Sequence, residues 1–362
     1  MPRSALIDRR DFLKAAGVGF LASLTPRSGA ALERTDAVYA SGLREPDGYY
    51  GVGLINERGE ILAQIDLPDR AHGLSFDAAS GRAVAFARRP GTFAVVFDPK
   101  GRSEPVIIAT PAGRHFYGHG HFSPDGRLLY ASENDFDGNR GMIGLYDAQA
   151  GFQRIGEFDA HGVGTHDMSV SDDGQTLIIA NGGIETHPDF GRTKLNLDRM
   201  EPSLVLLDAR NGALIERHGL PAELRRLSTR HIDTAADGRI WFACQYEGPR
   251  NDLPPLVGHF AKGEDLTFVP LPDDITTGLA NYVGAIAVNR QDGLVGITSP
   301  KGGLAVTLDG RTGAVLGQEA VVDAAGIAPA QDGFAVSSYG GRFLQTRSDV
   351  AFDQHIVLLA KA

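Results

Sequence analysis

The sequence contains a single cysteine in 362 residues, and this scarcity excludes several kinds of site. One thiol cannot form an intrachain disulfide framework, a Cys-x-x-Cys-His haem attachment or a multi-cysteine zinc site. A chain of this length can bury roughly three quarters of the surface that its unfolded state exposes, so folding requires neither disulfide nor structural metal. Cys244 alternates with apolar residues in RIWFACQY, and we expect a small buried side chain rather than a reactive thiol.

Motifs of several enzyme classes are also missing. No Gly-x-Ser-x-Gly elbow, His-Glu-x-x-His helix or Walker loop occurs in the chain. The segment DFDGNRG from residue 135 resembles the start of a calcium loop, but Arg140 stands where an EF-hand requires glycine, and Tyr146 stands where it requires glutamate. The pattern therefore does not favour an α/β-hydrolase, a zincin, a P-loop NTPase or an EF-hand protein.

Excess basic charge is lacking as well. The chain has 35 lysines and arginines against 45 aspartates and glutamates, a formal net charge of −10. Such a chain, without a basic run interleaved with aromatics, repels phosphate backbones and anionic lipid, so we expect no nucleic-acid binding. Beyond the first thirty residues, no stretch is long and apolar enough to span a bilayer, and we expect no membrane insertion.

Residues 1–30 have the pattern of a twin-arginine signal peptide. RRDFLK from Arg9 precedes a moderately apolar stretch, Ala15–Leu24, that is too short to span a membrane. Small residues at 28–30 offer a cleavage point, although Asp8 stands where serine or threonine is usual. We therefore expect export to the periplasm by the twin-arginine pathway and a single folded domain over residues 31–362.

A repeat runs through the rest of the chain. Six units begin with a short strand, turn at a glycine and continue into a second apolar strand. They are AHGLSFDAASGRAVAF from 71, YGHGHFSPDGRLLYAS from 117, GTHDMSVSDDGQTLIIA from 164, TRHIDTAADGRIWFAC from 229, VGAIAVNRQDGLVGIT from 283 and AAGIAPAQDGFAVSS from 324. A third strand often ends in aspartate, and a fourth usually follows. Four strands per period of roughly 40 to 65 residues are typical of β-propeller blades.

Residues 35–67 supply three further strands, and QHIVLLA from 354 supplies an apolar strand that would complete their blade. The sequence therefore predicts an all-β protein, a seven-bladed propeller of the YVTN/WD40-like type, closed by N- and C-terminal strands. If the last strand stays with the sixth unit instead, the blade count changes. A closed ring removes free sheet edges, which favours one domain rather than two.

In a propeller the first strand of each blade lines the central channel, and the loops before it open on the same face as the loops after the second strand. Residues at these two places are expected to meet at one mouth. The first group is His72, His119, His121, His166, Asp167, Arg230 and His231, joined by His355 if the last strand is an inner strand. The second group is Arg88, Arg89, Glu133, Asn134, Asp135, Asn181, Glu185, Gln245, Tyr246, Glu247, Lys301 and Tyr339.

Four of the six units place histidine in the same register. The histidines are either strand caps inherited from a shared blade template or a functional cluster. Neutral imidazole is a common ligand of zinc, copper and iron, so a cluster predicts a divalent transition metal bound by His72, His119, His166 and His231. No contiguous zinc or haem motif supports one metal over another, and the cofactor stays open.

Two insertions interrupt the repeat after second strands. They are ANGGIETHPDFGRTKLNLDRMEPS, residues 180–203, and CQYEGPRNDLPPLVG, residues 244–258. Long loops in compact domains are often functional covers, so the two insertions are candidates for a wall on one side of the mouth. The alternative is packing decoration over an exposed blade.

Five blocks of the chain are distinctive in combination: FYGHGHFSPDGRLLYASENDFDGNRGMIGLYDA, GTHD, NGGIETHPDFGRTKLNL, PSLVLLD and WFACQYEGP. Through these blocks the chain resembles domain-of-unknown-function family 1513, a family of exported bacterial propellers. The family usually has Gly-Pro-His-Glu where this chain has Gly164-Thr165-His166-Asp167. The resemblance implies a periplasmic seven-bladed propeller encoded near imelysin-like and di-haem peroxidase-like proteins of iron uptake, which are the expected partners. The matched blocks contain His119, Glu133, Asp135, His166, Glu185, His187 and Tyr246.

Three functions are compatible with these features. Two of them use the channel mouth, and the third uses an outer surface of the propeller. The first is an accessory protein of iron uptake that binds a metal, a small ligand or a partner at a histidine-rich mouth. Its predicted ligand-binding residues are His72, His119, His121, Asn134, Asp167, Asn181, Glu185, His187, Arg230, Gln245, Tyr246 and His355. The second is a lactonase-like hydrolase or an oxidoreductase, with His166 or His231 as general base and Glu133 or Asp135 orienting it or binding an ion. The third is a protein–protein scaffold that uses an outer blade face.

Overall fold

The computed structural model describes residues 36–359, and the predicted signal peptide lies outside them. The described chain forms 28 strands in antiparallel sheets. The first fifteen are β1 (Tyr39–Arg44), β2 (Tyr50–Ile55), β3 (Ile61–Leu67), β4 (Ala71–Asp77), β5 (Arg82–Ala87), β6 (Phe93–Phe97), β7 (Val106–Ala109), β8 (Arg114–Phe122), β9 (Leu128–Asp135), β10 (Arg140–Asp147), β11 (Gln153–Asp159), β12 (Thr165–Val170), β13 (Thr176–Asn181), β14 (Ser203–Asp208) and β15 (Leu214–Gly219).

The remaining strands continue in the same pattern. They are β16 (Leu227–Thr234), β17 (Ile240–Tyr246), β18 (Val257–Phe260), β19 (Thr267–Phe268), β20 (Ala285–Asn289), β21 (Leu294–Ser299), β22 (Leu304–Asp309), β23 (Val315–Ala320), β24 (Ala324–Ala330), β25 (Gly333–Ser338), β26 (Arg342–Phe343), β27 (Thr346–Arg347) and β28 (Ala351–Leu358). The helices that lie wholly within residues 36–359 are short: two 3₁₀ turns, Pro188–Phe190 and Ala222–Leu224, and one α-helix, Asp273–Gly278. No helix within residues 36–359 is long and apolar enough to cross a bilayer.

The strands form seven four-stranded sheets arranged as propeller blades. Six blades take four consecutive strands each, from β4–β7 to β24–β27, and the seventh has the order β28-β1-β2-β3. The strand β28 contacts β4 and β24, the first strands of the neighbouring blades, so it is the inner strand of the composite blade. The predicted seven-bladed propeller is confirmed, and its ring is closed by the pairing of the first strand, β1, with the last strand, β28.

The predicted glycine turns join inner and second strands. In SPDG, Gly126 adopts a φ of 67°, which glycine tolerates best, and its N–H donates to the carbonyl of Ser123 at 2.8 Å. The Asp125 carboxylate accepts the hydroxyl of Ser123 at 2.6 Å and the N–H of Arg127 at 3.1 Å. These bonds fix the register of the hairpin and hence the height of the inner strand in the channel.

The core lies between adjacent blades rather than at the centre of the ring. Trp241 and Phe242, on the second strand β17, are fully buried in a cluster that also contains residues of the neighbouring blades. Cys244, on the same strand, is also fully buried, as expected for a small apolar residue. Packing between blades therefore stabilises the ring and leaves the axial channel for other side chains.

Candidate functional site

Five histidines project into the channel from bulges in the inner strands. The pairing of β4 with β5 shifts between Ala71 and Leu74, which leaves His72 in a bulge. Similar shifts enclose His119 in β8, His166 in β12 and His355 in β28, and one immediately precedes His231 in β16. A bulge adds a residue to one strand and re-aims its side chain. We call His72, His119, His166, His231 and His355 the channel histidines.

The channel histidines are packed against one another. Their ring centroids lie 4.6 Å apart for His119 and His355, 4.8 Å for His166 and His231, and 6.4 Å for His72 and His231. Glycines allow this approach: a Cβ on Gly73 would lie 2.6 Å from Nδ1 of His119. Five blades of the ring thus contribute to one compact layer of imidazoles.

Two carboxylates flank this layer. One oxygen of Asp167 lies 3.3 Å from Nδ1 of His119, and the other lies 3.8 Å from Nδ1 of His231. Asp353 lies 3.8 Å from Nδ1 of His72 and forms an ion pair with Arg70. The contact with Asp167 favours a proton on Nδ1 of His119. The Nε2 atom of His119 is then unprotonated, and its lone pair is available to a metal ion.

Burial makes the channel histidines neutral near pH 7. Desolvation lowers the pKa of His119 to about 4, even though Asp167 acts in the opposite direction. Desolvation also lowers the pKa of His72, His166 and His355 well below the usual value of histidine, and neighbouring imidazoles add to the effect. Neutral imidazole is the protonation state that metal ions require.

Several imidazole nitrogens are buried and lack a hydrogen-bond partner among residues 36–359. They are Nδ1 of His72, Nε2 of His119, Nε2 of His166, both nitrogens of His231 and Nε2 of His355. Leaving a buried polar atom unpaired costs about 1–3 kcal/mol, so a concentration of such atoms indicates a binding site. Two histidine triads have ligand atoms within 4.8 Å of one another: His72, His119 and His166, and His119, His231 and His355.

The histidine layer separates two cavities. The first, which we call the mouth cavity, has a volume of about 310 Å³, and the second, the lower cavity, about 220 Å³. His72 and His166 face the mouth cavity, whereas His119, His231 and His355 face the lower one. The mouth cavity is lined by His72, Arg88, Arg89, Tyr117, His166, Arg192, Lys194, Arg230, Gln245, Tyr282, Pro300, Lys301, Tyr339 and Gln354.

The expectation of a histidine-rich mouth is therefore corrected. The bulges carry the histidines into the channel, below the opening, and the opening itself is rich in arginine and lysine. Arg230 and Gln245 do line the mouth cavity, as the sequence predicted. Asp167 and His121 line the lower cavity instead.

The structure does not bring Glu133 and Asp135 to the histidines. Glu133 is completely buried within its own blade, where it accepts the hydroxyl of Tyr146 at 2.7 Å and pairs with Arg154 at 2.8 Å. Asp135 pairs with Arg140 at 2.7 Å beside the next turn. The expectation that either carboxylate orients His166 or His231 is corrected, because both are held by arginines of their own blade.

Other predicted ligand-binding residues contact the insertions or the surface. The amide of Asn134 donates to the carbonyl of Thr186, and the amide of Asn181 donates to that of Ala160. Glu185 pairs with Arg199 at 3.0 Å. His187 caps the 3₁₀ turn Pro188–Phe190, and the hydroxyl of Tyr246 donates to Asp252 at 2.6 Å. None of these five predicted residues, namely Asn134, Asn181, Glu185, His187 and Tyr246, lines either cavity in the described part of the chain.

Sequence reasoning missed part of the mouth. Arg192 and Lys194 lie in the first insertion, which was expected to wall the mouth, but its charged residues were not singled out. Asn196 folds this loop back by bonding to Gly183 and Glu185. The basic side chains of the insertion were the available signal, since a loop that returns over a channel presents its side chains to the opening.

Comparison with known proteins supports the fold and gives few functional details. The sequence profile of the family described as "Protein of unknown function (DUF1513)" matches residues 65–359. A dihydro-heme d1 dehydrogenase of Pseudomonas aeruginosa is 32% identical over 115 residues, and the match covers 32% of this chain but only 18% of that protein.

Two solved propellers have similar backbones. Hydrazine synthase of Kuenenia stuttgartiensis superposes with a TM-score of 0.62 at 14% identity, over 84% of this chain and 94% of that one. The β-propeller domain of Cps50 (Swd1) of Myceliophteria thermophila superposes with a TM-score of 0.56 at 10% identity, over 86% and 94% of the two chains. At these identities the likeness shows the fold alone.

Proposed function

This chain belongs to the DUF1513 family of proteins of unknown function, and we propose that its channel histidines bind a divalent transition metal ion. The observation that carries this proposal is the concentration of unpartnered, buried imidazole nitrogens at the centre of the ring. A structural histidine normally donates to a carbonyl, as His115 and His121 can to the backbone oxygens of Phe116 and Phe122. The channel histidines lack such partners, and a metal would satisfy them.

His119 is central to the proposed site, because it belongs to both triads. Its contact with Asp167 resembles the carboxylate–histidine pairs that orient metal ligands in proteins. A donor set of neutral nitrogens suits zinc, copper or iron better than magnesium or calcium, which prefer oxygen. We propose one of the first three as the resident ion.

Metal analysis of protein purified without chelator tests this proposal. We expect close to one equivalent of iron, copper or zinc and a rise in melting temperature when metal is restored to stripped protein. Less than roughly a tenth of an equivalent, together with no metal-induced rise, would refute the metal site.

We also propose that the protein acts in the periplasm as an accessory of iron uptake. The support is the twin-arginine pattern at Arg9 and the resemblance to propellers encoded with imelysin-like and di-haem peroxidase-like proteins. Fractionation of the native host should recover the protein in the periplasm, and its deletion should slow growth when iron is scarce. Recovery in the cytoplasm would refute the location.

An enzyme that uses the same layer is the second candidate. It is favoured by Asp167, whose two oxygens face His119 and His231 and whose own pKa is lowered: burial alone would raise it, but the two imidazoles outweigh that effect. The partial similarity to a dihydro-heme d1 dehydrogenase is compatible with an oxidoreductase. A substrate turned over by wild-type protein but not by folded, metal-loaded Asp167→Asn protein would support this candidate, and equal turnover would exclude it.

A further inference from the structure

The mouth cavity carries a charge opposite to that of the whole protein. Six of its lining residues are cationic, and no aspartate or glutamate of residues 36–359 is among them. The six are Arg88, Arg89, Arg192, Lys194, Arg230 and Lys301. The complete chain has a formal net charge of −10, so the charge of the mouth cavity differs in sign from that of the protein as a whole.

Nearby carboxylates neutralise only part of this charge. Glu247 pairs with Lys194 and lies 3.7 Å from Arg230. For Arg88 and Arg192, no ion pair occurs in the part of the chain that the structure describes. Within the mouth, therefore, Glu247 is shared by two cations, and the other four cations form no ion pair with a carboxylate of residues 36–359.

Two further cations rest on aromatic rings instead of carboxylates. The guanidinium of Arg89 lies 6.0 Å from the ring centre of Tyr117, and the ammonium of Lys301 lies 5.2 Å from that of Tyr282. Such contacts hold a cation in place without cancelling its charge. Desolvation by burial, followed by repulsion from Arg230, lowers the pKa of Arg89 to about 10.

Arg230 gives an independent sign of a ligand. Its exposed fraction is only 7%, it faces the mouth cavity, and its Nε has no hydrogen-bond partner among residues 36–359. A buried guanidinium normally has its donors paired, because an unpaired charged donor is costly. The unpaired atom at the base of a positively charged cavity indicates a missing acceptor.

We infer that the mouth cavity binds a small polyanion, whose carboxylate or phosphate oxygens pair with the arginines. Guanidinium groups present a planar fork that matches both kinds of oxygen. A cavity of about 310 Å³ admits a molecule such as citrate or pyrophosphate and is too small for a folded partner. The hydroxyls of Tyr117, Tyr282 and Tyr339 supply further donors at the wall.

This anion site adjoins the histidine layer but does not depend on a metal. His72 and His166 form part of both the cavity wall and the layer, so a bound anion would sit directly above the proposed ion. The arginine contacts would be present in metal-free protein as well. The anion site and the metal site can therefore fail separately.

Calorimetric titration of metal-free, full-length protein with citrate and with pyrophosphate at low salt tests the inference. We expect at least one of them to bind with a Kd below about 1 mM and to raise the melting temperature. Binding of citrate alone would identify a carboxylate ligand, and binding of pyrophosphate alone a phosphate ligand. If neither anion binds, the inference is wrong.

The double variant Arg88→Gln/Arg192→Gln assigns the binding to the mouth. We expect its affinity to fall at least about tenfold, since hydrogen bonds to charged groups are lost. Its melting temperature without anion should match or exceed that of the wild type, because repulsion among the cations is relieved. Arg127→Gln/Arg210→Gln, which removes two exposed arginines paired with neighbouring aspartates, is the matched control and should bind normally.

Two results would count against the inference. The first is a double variant that binds as tightly as the control. The second is a double variant that melts far below wild type, which would make these arginines structural. His119→Ala should retain anion binding in the metal-free titration. The titration therefore tests the anion site even if the proposed metal site proves wrong.

Discussion

Five blades carry a channel histidine and two do not, and the comparison separates structure from function. The inner strand β24 has the same kind of bulge as the histidine blades, but Ala325 and Gly326 occupy it. The inner strand β20 pairs with β21 without any shift. Both blades pack and close in the same ring. A blade of this protein therefore needs no histidine at the channel in order to form and to pack in the ring.

The largest effect is expected when a channel histidine is replaced by alanine, the residue type found in the bulge of β24. His119→Ala should weaken metal binding by roughly a hundredfold to several hundredfold, since one ligand contributes about a quarter of a binding free energy of 10–16 kcal/mol. The metal-free variant should melt close to wild type. Calorimetry and metal analysis measure the first effect, and thermal denaturation measures the second.

His259→Ala, on the third strand of its blade, β18, is the control for this experiment and should bind metal normally. If His119→Ala instead unfolds the metal-free protein, His119 stabilises its blade. The two kinds of blade would then differ in what stabilises them, and the histidine would be structural.

A second substitution tests whether the carboxylates at the ends of the second strands are structural. Glu133→Gln removes the buried partner of Arg154 and should lower the free energy of unfolding by about 3 kcal/mol. Metal bound per folded molecule should not change. Urea denaturation gives the first value, and Glu157→Gln, a partly exposed partner of the same arginine, should cost less than about 1 kcal/mol. Lost metal binding in folded Glu133→Gln protein would restore this residue to the site.

The pH dependence of stability should report the histidine layer. The pKa of His119 is about 4 in the folded state against 6.5 for an unperturbed histidine, and that of His166 is also lowered. Between these pH values the unfolded chain binds protons that the folded chain does not. The contribution of these histidines to the free energy of unfolding is therefore fully present above pH 6.5 and is lost as the pH falls towards 4. His166→Asn should reduce this slope by up to about 1.4 kcal/mol per pH unit in metal-free protein. An unchanged slope in urea titrations at several pH values would contradict the buried, neutral state.

The smallest effect is expected at Asp135. Its partner Arg140 is 54% exposed, and exposed ion pairs contribute little to stability. Asp135→Asn should change the free energy of unfolding by less than about 1 kcal/mol and should leave metal binding intact. Chemical denaturation with metal titration checks both, and a large loss of metal binding would contradict the separation between channel and blade.

The fold was largely predictable from the sequence. The glycine turns recur at a regular spacing, and each joins two apolar strands, so blade boundaries follow from local chemistry. The pairing of β28 with β1 was also predictable, because residues 35–67 lacked one strand and QHIVLLA supplied it. These features are local or complementary, and a single sequence displays them.

The site was predictable only in part. The register identified the channel histidines, but bulges set their depth, and no sequence pattern marks a bulge such as the one at His166. Glu133 was wrongly predicted to lie near the histidines, because the sequence does not show that it pairs with Arg154, two strands away in the same blade. The repeat placed Arg88, Arg89, Arg230 and Lys301 at the mouth, but the sequence did not show that Arg192 and Lys194 of the first insertion join them.

The strand that closes the ring also carries His355, the member of the layer that is synthesised last. Until β28 pairs with β1, the second triad is one nitrogen donor short. If the proposed metal ion occupies that triad, its binding favours the closed ring over a chain in which β28 is unpaired.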